Sequence, residues 1–189
     1  YKVGIVGSEG YAVGELYNLL VHHPDVHLEM IYAPQRAGMS VAELFNDLNS
    51  MRTLNFTDEL QLEGLDVLFL CLQSAASTRE FLQRFEMPEG MKVIDFSQEY
   101  RHTDPEETGF VYGLPEANRR ALTKATKASV PGAFASAIQT PLIPLAKHLL
   151  LNSDIHVTSV AGKTEALARP RVISGITYDM LFDNFHVLQ

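Results

Sequence analysis

The sequence predicts an α/β protein built on a mostly parallel sheet, and three observations support that prediction. Strand-like and helix-like patterns alternate from the first residue, which is typical of βαβ units. The run over residues 66–72 is almost wholly apolar, as expected of a strand covered on both faces. Finally, a glycine-rich turn separates the first strand pattern from the first helix pattern.

Short β-rich or continuously apolar runs predict the strands. These runs cover residues 2–6, 26–33, 66–72, 92–95 and 155–160. The segment 100–116 is polar and rich in glycine and proline. A connection of this length inside a compact domain is usually functional or mobile, and we expect one of the two here.

Apolar residues at helical spacing predict three longer helices. The first begins at Tyr11 and ends before Pro24, because proline disfavours a helical residue before it. The other two are predicted over residues 78–85 and 135–151. Pro141 and Pro144 interrupt the last pattern, so we expect a kink or a late start in that helix.

Composition and charge narrow the classes of function. The chain has 189 residues, of which 46% are hydrophobic and 20% charged, as in a globular domain. Its 15 Lys and Arg against 23 Asp and Glu give a net charge of −8, which argues against binding nucleic acid or anionic membranes. No apolar run reaches the roughly 18–20 residues of a membrane-spanning helix, and no secretory signal is visible. The single cysteine, Cys71, precludes an internal disulfide and fits a reducing, cytoplasmic location.

Three glycines between the first strand and the first helix predict a nucleotide site. Gly7, Gly10 and Gly14 have the spacing G-x-x-G-x-x-x-G, in the strand–turn–helix context of a dinucleotide fingerprint. Gly7 permits a tight turn, and Gly10 lets backbone N–H groups approach a pyrophosphate at the positive end of the helix. The alternative is a plain turn that needs small residues only for packing. We therefore predict a doubly wound, Rossmann-type parallel sheet.

The end of the second strand indicates which dinucleotide is preferred. NAD-binding domains usually carry an acidic residue there, which accepts from the ribose hydroxyl, but this chain reads Ile31-Tyr-Ala-Pro-Gln-Arg36. The guanidinium of Arg36 suits a 2′-phosphate, which a carboxylate would repel. We predict NADP as the cofactor; the alternative is that Arg36 is a solvated loop charge.

Three later stretches are more specific, taken in order after Gly10-Tyr-Ala-Val-Gly-Glu-Leu16. They are Asp95-Phe-Ser-Gln-Glu-Tyr-Arg101, Val111-Tyr-Gly-Leu-Pro-Glu-Ala-Asn-Arg119 and Val130-Pro-Gly-Ala-Phe-Ala135. With these motifs the chain resembles the N-acetyl-γ-glutamyl-phosphate reductases, NADP-dependent enzymes of arginine biosynthesis. The resemblance implies an NADP-binding Rossmann domain over residues 1–130. Residues 131–189 would then begin a catalytic and dimerisation domain, shortened at its far end.

The resemblance also implies an oxidoreductase acting on a small-molecule acyl phosphate, with a possible homo-oligomer. In the family, the acyl phosphate acylates a cysteine thiolate, a strong nucleophile, and hydride from NADPH then releases the aldehyde. Carried over residue by residue, the cofactor positions are Gly7, Ser8, Gly10, Tyr11, Ala12 and Ser74. The substrate positions are Ser97 and Arg101, with an ion pair that fixes the loop as the alternative for Arg101. A mainly structural role is expected for Tyr112, Asn118 and Arg119.

The chain departs from the family where the chemistry takes place. The family motif Asn-Pro-Gly-Cys reads Val130-Pro-Gly-Ala133 here, and the methyl group of Ala133 cannot form a thioester. Cys71 is expected to behave as a buried hydrophobe, and Ser136 would need a base of its own. None of the seven histidines sits in the family's base motif, and residues 161–170 match the substrate loop only faintly.

Three interpretations stay open at this point. The first is a reductase of this family in which Ala133 is engineered or the chain is incomplete. The second is a catalytically silent relative that keeps a nucleotide-binding domain for sensing or assembly. The third is a shortened or redesigned scaffold without a ligand. Under all three, we expect the chain as written to be inactive as a reductase.

Overall fold

A computed structural model describes residues 1–8, 10–45, 54–72 and 74–159. The chain divides into two compact units, Tyr1–Pro131 and Gly132–Gln189. The first unit contains a sheet with helices packed on it, and the second contains one long helix among its described residues. None of the helices in these ranges is both long and apolar enough to cross a membrane.

The sheet of the first unit has seven parallel strands among the described residues. They are β1 (Lys2–Val6), β2 (His27–Tyr32), β3 (Phe56–Thr57), β4 (Val67–Leu70), β5 (Lys92–Asp95), β6 (Phe110–Tyr112) and β7 (Lys127–Ser129). Their order is β3-β2-β1-β4-β5-β7-β6. The chain therefore proceeds outward from β1 to β3 on one side and from β4 to β5 on the other, where β6 is the edge strand and β7 lies between β5 and β6. Such a reversal leaves a crevice at the carboxyl ends of the two central strands, where ligands bind in this class of sheet.

The helices alternate with the strands along the chain. They are α1 (Tyr11–Val21), α2 (Val41–Leu44), α3 (Ala75–Arg84), α4 (Pro105–Thr108) and α5 (Pro115–Leu122) in the first unit, and α6 (Ala133–Lys147) in the second. A single 3₁₀ turn, Pro34–Arg36, follows β2. Strand, helix and strand thus repeat as the sequence pattern predicted.

Neighbouring residues of β1 pack on opposite faces of the sheet. Ile5 belongs to a core cluster that includes Val13 and Tyr17 of α1. Val6 belongs to a second cluster that includes Phe81 of α3. Burying one such side chain fully contributes about 1.5–3 kcal/mol. Because both faces are covered, the central strands can be apolar throughout, and the predicted Rossmann-type α/β class is confirmed.

The four predicted strands of the first unit are present as β1, β2, β4 and β5. The prediction over residues 155–160 is wrong, since residues 155–159 form no strand and residue 160 lies outside the described residues. Residues 151–158 are exposed, and a strand is not stable without a neighbouring strand and a buried face. The short strands β3, β6 and β7 were not predicted, because two or three residues carry no measurable periodicity.

The third helix of the first unit begins earlier than its apolar pattern predicts. α3 starts at Ala75 rather than at residue 78 because the Ser74 hydroxyl caps it, accepting from the Ser77 N–H at 3.1 Å.

The segment 100–116, predicted as a long connection, contains regular structure. It contains α4 and β6, and Tyr100 stacks on Phe110 of β6 with ring centroids 4.0 Å apart.

Of the kink or late start predicted for the long helix, the late start is wrong. α6 begins at Ala133 and continues through Pro141 and Pro144 to Lys147. Each proline removes the hydrogen bond to the carbonyl four residues before it. Those carbonyls belong to Ala137 and Thr140, which are exposed, so water can solvate them and the helix tolerates both prolines.

Candidate functional site

The turn after β1 is closely confined at Gly7. Its φ angle is +120°, and a Cβ atom there would lie 2.2 Å from the carbonyl oxygen of Cys71. The Gly7 N–H donates to the carbonyl of Tyr32 at 2.9 Å, so the turn is held between the ends of β2 and β4. Only glycine fits this position, for both conformational and steric reasons.

The start of α1 is open beside this turn. Gly10 is the N-cap residue, with φ +89°, and no side-chain cap is present among the described residues. The first N–H groups of a helix have no acceptor within the helix, and the helix dipole adds partial positive charge. No acidic residue lies in the first turn, and a Cβ at Gly10 would meet no described atom within 4 Å. This arrangement suits an anion such as a pyrophosphate.

The third glycine has a packing role. A Cβ at Gly14 would lie 2.8 Å from Cδ1 of Phe45, just after α2. Gly14 therefore allows α1 to lie against the Phe45 ring, whereas the last glycine of dinucleotide-binding turns usually allows a helix to pack closely on a strand. The three glycines thus serve a tight turn, an open helix start and close packing, in that order.

A cavity of about 300 Å³ adjoins the turn. Val6 and Gly7 line it from the end of β1, and Pro34 and Gln35 line it after β2. Four residues of α3 also line it: Ser77, Glu80, Phe81 and Arg84. The cavity therefore lies at the carboxyl ends of the central strands, on the side of the sheet that α3 covers, where the strand order reverses.

The other predicted cofactor residues of the turn lie on either side of Gly10. Ser8 is buried, with 7% of its surface exposed. Tyr11 begins α1, and Ala12 is exposed in the first helical turn. The chain thus brings these positions together at one helix start.

Arg36 lies near the cavity in the chain but does not line it. It is the last residue of the 3₁₀ turn after β2 and is half-buried, whereas the preceding Pro34 and Gln35 do line the cavity. Ser74 is exposed and caps α3, and its hydroxyl lies 2.8 Å from that of Ser77, which lines the cavity. Ser74 is therefore at the edge of the cavity, and Arg36 follows two of its lining residues in the chain.

A buried carboxylate at the end of β5 organises the loop that follows. Asp95 is 0% exposed. It accepts from the N–H of Ser97 at 3.0 Å, from the Ser97 hydroxyl at 2.7 Å and from the Thr78 hydroxyl at 3.4 Å. Burial raises the pKa of Asp95 above its ordinary value, while the bonds from Ser97 and Thr78 and the charge of Arg101 oppose the rise. The Ser97 hydroxyl, predicted to bind substrate, is thus engaged with Asp95.

Arg101 joins two backbone segments of the first unit. Its Nε donates to the carbonyl of Val130 at 2.8 Å, and its Nη2 donates to the carbonyl of Phe96 at 3.0 Å. The Val130 N–H in turn donates to the carbonyl of Asp95 at 2.7 Å. The guanidinium therefore holds the loop after β5 against the segment after β7.

Comparison with known protein families shows which family has this architecture. A family model described as the semialdehyde dehydrogenase, NAD binding domain, matches residues 2–125. The chain belongs to that family. The match covers six of the seven strands, β1 to β6, and the helices up to the end of α5, including the glycine turn, the cavity and the Asp95 loop.

Curated relatives narrow the comparison within the semialdehyde dehydrogenase family. N-acetyl-γ-glutamyl-phosphate reductase of Parabacteroides distasonis is 42% identical over 177 residues, which is 94% of this chain and 54% of the relative. The protein of the same name from Bacteroides thetaiotaomicron is 38% identical over 193 residues, 98% of this chain and 59% of the relative. The chain thus spans little more than half the length of these relatives. They confirm the resemblance predicted from the motifs.

Solved structures agree on the fold. Aspartate semialdehyde dehydrogenase with NADP from Candida albicans has a TM-score of 0.61 at 18% identity, covering 79% of this chain and 47% of that one. Aspartate semialdehyde dehydrogenase II from Vibrio cholerae has a TM-score of 0.57 at 14% identity, covering 78% and 42%. At these identities the likeness shows a shared fold.

The position of the family's nucleophile is the first residue of α6. Ala133 is exposed there, after the N-cap residue Gly132. The Ser136 hydroxyl donates to the Gly132 carbonyl at 3.0 Å.

Cys71 is 5% exposed, and burial, with a smaller contribution from Asp95, raises its pKa to about 12. The prediction that Cys71 is a core residue is confirmed, and its thiol is not a nucleophile at neutral pH.

Two features of the site were not found from the sequence. The cavity wall of aromatic and charged α3 side chains reads in the sequence as an ordinary amphipathic helix. The hydrogen-bonding role of Asp95 was also missed, although an acidic residue ending a buried strand was a usable signal. By contrast, Asn118 donates to the carbonyl of Tyr112 at 3.0 Å, a structural contact of the kind expected for this block. No group of three or more metal-ligating side chains occurs in the described ranges.

Proposed function

We propose that the chain is the NADP-binding portion of an N-acetyl-γ-glutamyl-phosphate reductase, and that it binds NADP as it stands. The observation that carries the proposal is the Gly7 turn, which opens onto both an uncapped helix start and a cavity. The helix start suits the pyrophosphate, and the cavity suits the adenosine half. When bound, NADPH supplies a hydride.

The residues present fit a dinucleotide. Glycine at position 7 lets the turn lie close against the Cys71 carbonyl, and a Cβ at Gly10 would meet no described atom within 4 Å, which leaves room for a ligand there. Ser8, Gly10, Tyr11 and Ala12 would surround the pyrophosphate, and Ser74 would lie at the edge of the cavity. We also propose that the substrate of the whole protein is a small acyl phosphate. The proposal further includes a cytoplasmic location and self-association of the whole protein. It also assigns the unit after Pro131 as the start of the catalytic domain.

For the choice of cofactor, Arg36 is the residue that favours NADP. β2 is followed by Ala33-Pro-Gln-Arg36, without a carboxylate to repel a 2′-phosphate. Arg36 lies outside the cavity that would hold the base, which is consistent with contact to a phosphate at the rim.

For the substrate, we propose that Ser97 and Arg101 shape one side of the site. The contacts of Arg101 with the Val130 and Phe96 carbonyls support a role in fixing the loop, by backbone contacts rather than by an ion pair alone. Ser97 acts through the same loop, since its hydroxyl is bonded to Asp95 and accepts from the Glu99 N–H at 3.1 Å.

The test is a titration with NADPH and NADH. The chain has no tryptophan, so the emission of the reduced nicotinamide reports binding directly. We expect saturable binding of NADPH and at least about tenfold weaker binding of NADH, from loss of a charge-assisted contact. Arg36→Ala should bring the two affinities together, whereas the exposed control Arg120→Ala should not. Absence of saturable NADPH binding would overturn the proposal.

A second candidate, a catalytically silent relative, is favoured by Ala133. Ala133→Cys would place a thiol at the start of α6, where the helix dipole favours the thiolate. After incubation with N-acetyl-γ-glutamyl phosphate, intact-protein mass spectrometry should detect the added acyl group in the variant. The unmodified chain, with only the buried Cys71, is the control. No acyl adduct in the variant would favour the silent relative over a reductase that has lost only its nucleophile.

A further inference from the structure

We propose that Glu80 makes the cavity selective for adenine by accepting a hydrogen bond from the 6-amino group of the base. This rests on the proposed function, in which the cavity holds the adenosine half of NADP. Glu80 belongs to α3 and lines the cavity beside the Gly7 turn. It would determine which purines the site accepts.

The inner wall of the cavity suits a planar base. Tyr32, Phe81 and Phe85 all line it, and their ring centroids are between 4.9 and 6.5 Å apart. At about 300 Å³, the cavity is at the small end of the range of about 300–1,000 Å³ found for ligand pockets. It therefore has room for a base with part of its ribose, and not for a whole dinucleotide.

Two charged side chains of α3 line the cavity, together with the polar side chains of Gln35 and Ser77. Glu80 and Arg84 are four residues apart, so they lie on one face of the helix, and both line the cavity. An ionised carboxylate only accepts hydrogen bonds, and a guanidinium only donates them. Adenine has the matching pattern, because its 6-amino group donates and the neighbouring ring nitrogens accept.

The Glu80 carboxylate interacts with the charge of Arg79 but is not bonded to another side chain in the described parts of the chain. It has no hydrogen-bond or ion-pair partner there. The Arg84 guanidinium lies over the ring of Phe85 instead, 5.1 Å from its centroid. An incoming base therefore reaches Glu80 without having to break an ion pair.

Hypoxanthine provides the sharpest comparison with adenine. It has the same size and the same faces for stacking, but a carbonyl oxygen replaces the 6-amino group. That oxygen would face the Glu80 carboxylate, acceptor against acceptor. Because Glu80 is exposed to water, we expect the discrimination to be moderate, about tenfold in Kd.

The experiment compares NADPH with its hypoxanthine analogue, the reduced deamino-NADP. Both ligands carry the same charge, so the ratio of their Kd values isolates the base. For the natural chain we expect the analogue to bind about tenfold more weakly. In Glu80→Gln the ratio should fall to about one to two, because an amide can donate to the carbonyl oxygen as well as accept. Glu89→Gln removes an equal charge from an exposed turn outside the cavity and should keep the full ratio.

Two results would overturn this proposal while leaving the proposed function intact. One is equal affinity of the natural chain for NADPH and the analogue. The other is an undiminished ratio in Glu80→Gln, with circular dichroism confirming that the variant is folded. Failure of the natural chain to bind either ligand would instead overturn the proposed function, and the selectivity of Glu80 with it.

Discussion

At the scale of single residues, Gly7 and Asp95 are confined for different physical reasons. Gly7 is confined by its positive φ and by the Cys71 carbonyl, which leaves no space for a Cβ. Asp95 is confined by charge, since a fully buried carboxylate requires hydrogen bonds to remain in place. The first constraint holds the turn close to the end of β4, and the second orders the loop that follows β5.

Gly7→Ala should destabilise the first unit and abolish NADPH binding. The new methyl would lie 2.2 Å from the Cys71 oxygen, so the turn must move; we expect a loss of about 3–5 kcal/mol in the free energy of unfolding. Urea denaturation measures that loss. Gly90→Ala is the matched control, because φ is +83° there and nothing described lies within 4 Å; it should lose about 1–2 kcal/mol. Equal losses for the two variants would contradict a steric role for Cys71.

Asp95→Asn should change how stability depends on pH. Folding raises the pKa of Asp95, chiefly by burial, so the folded state holds its proton more tightly than the unfolded state. Its stabilising contribution is fully present below the ordinary pKa of 3.8 and is lost as pH rises through the raised value. The natural chain should therefore lose free energy of unfolding relative to Asp95→Asn as pH rises from about 4 to 8. A pH-independent difference in urea denaturation would contradict this.

At the scale of elements, α3 connects the cavity with the Asp95 loop. Its N-cap Ser74 lies at the edge of the cavity, and Phe81 packs in the core beneath the cavity. Thr78 of the same helix donates to Asp95, and Arg79 pairs with Glu99. One helix thus contributes to the cavity and also contacts the loop that follows β5.

Ser74→Ala should weaken the start of α3. The variant loses the oxygen that accepts from the Ser77 N–H, and we expect about 0.5–2 kcal/mol less free energy of unfolding. Ser74→Asp keeps a capping oxygen and should preserve most of the stability. Chemical denaturation of the three proteins distinguishes the cases. If Ser74→Asp is as unstable as Ser74→Ala, the cap is not the source of the effect.

At the scale of the whole molecule, Cys71 reports on the opening of the first unit. It is 5% exposed and its pKa is raised to about 12, so a thiol reagent reaches it only when the core opens. Ligand binding to the folded state reduces the open population by the factor 1 + [L]/Kd. Global opening, labelling and cofactor binding are therefore linked.

NADPH should protect Cys71 from labelling. At a free NADPH concentration of 100 times Kd, we expect the labelling rate to fall by about 100-fold. An aromatic disulfide reagent followed by absorbance measures the rate, and NADH at the same concentration is the control, with less protection. Fast labelling of the folded chain, unaffected by NADPH, would show that Cys71 is reached by a local opening rather than by unfolding.

Much of the candidate site could be predicted from the chain because it depends on local pattern. Gly7 and Gly10 occur in a strand–turn–helix context, and the buried state of Cys71 follows from the apolar run around it. Ala133 could be recognised as a missing thiol from the motif alone. Short strands such as β6 could not be predicted from the sequence, because they depend on pairing with a neighbouring strand, here β7, and not on a periodic pattern.

The sequence by itself therefore determined the α/β class, the central strands and the identity of the residue at position 133, since period and motif are properties of neighbouring residues. Only the tertiary structure decided that Glu80 and Arg84 of α3 line a cavity with Tyr32 of β2. It likewise decided that Arg101 reaches the Val130 carbonyl, 29 residues away. These contacts join segments that are distant in the chain, and the parallel sheet brings them together by aligning the carboxyl ends of its strands.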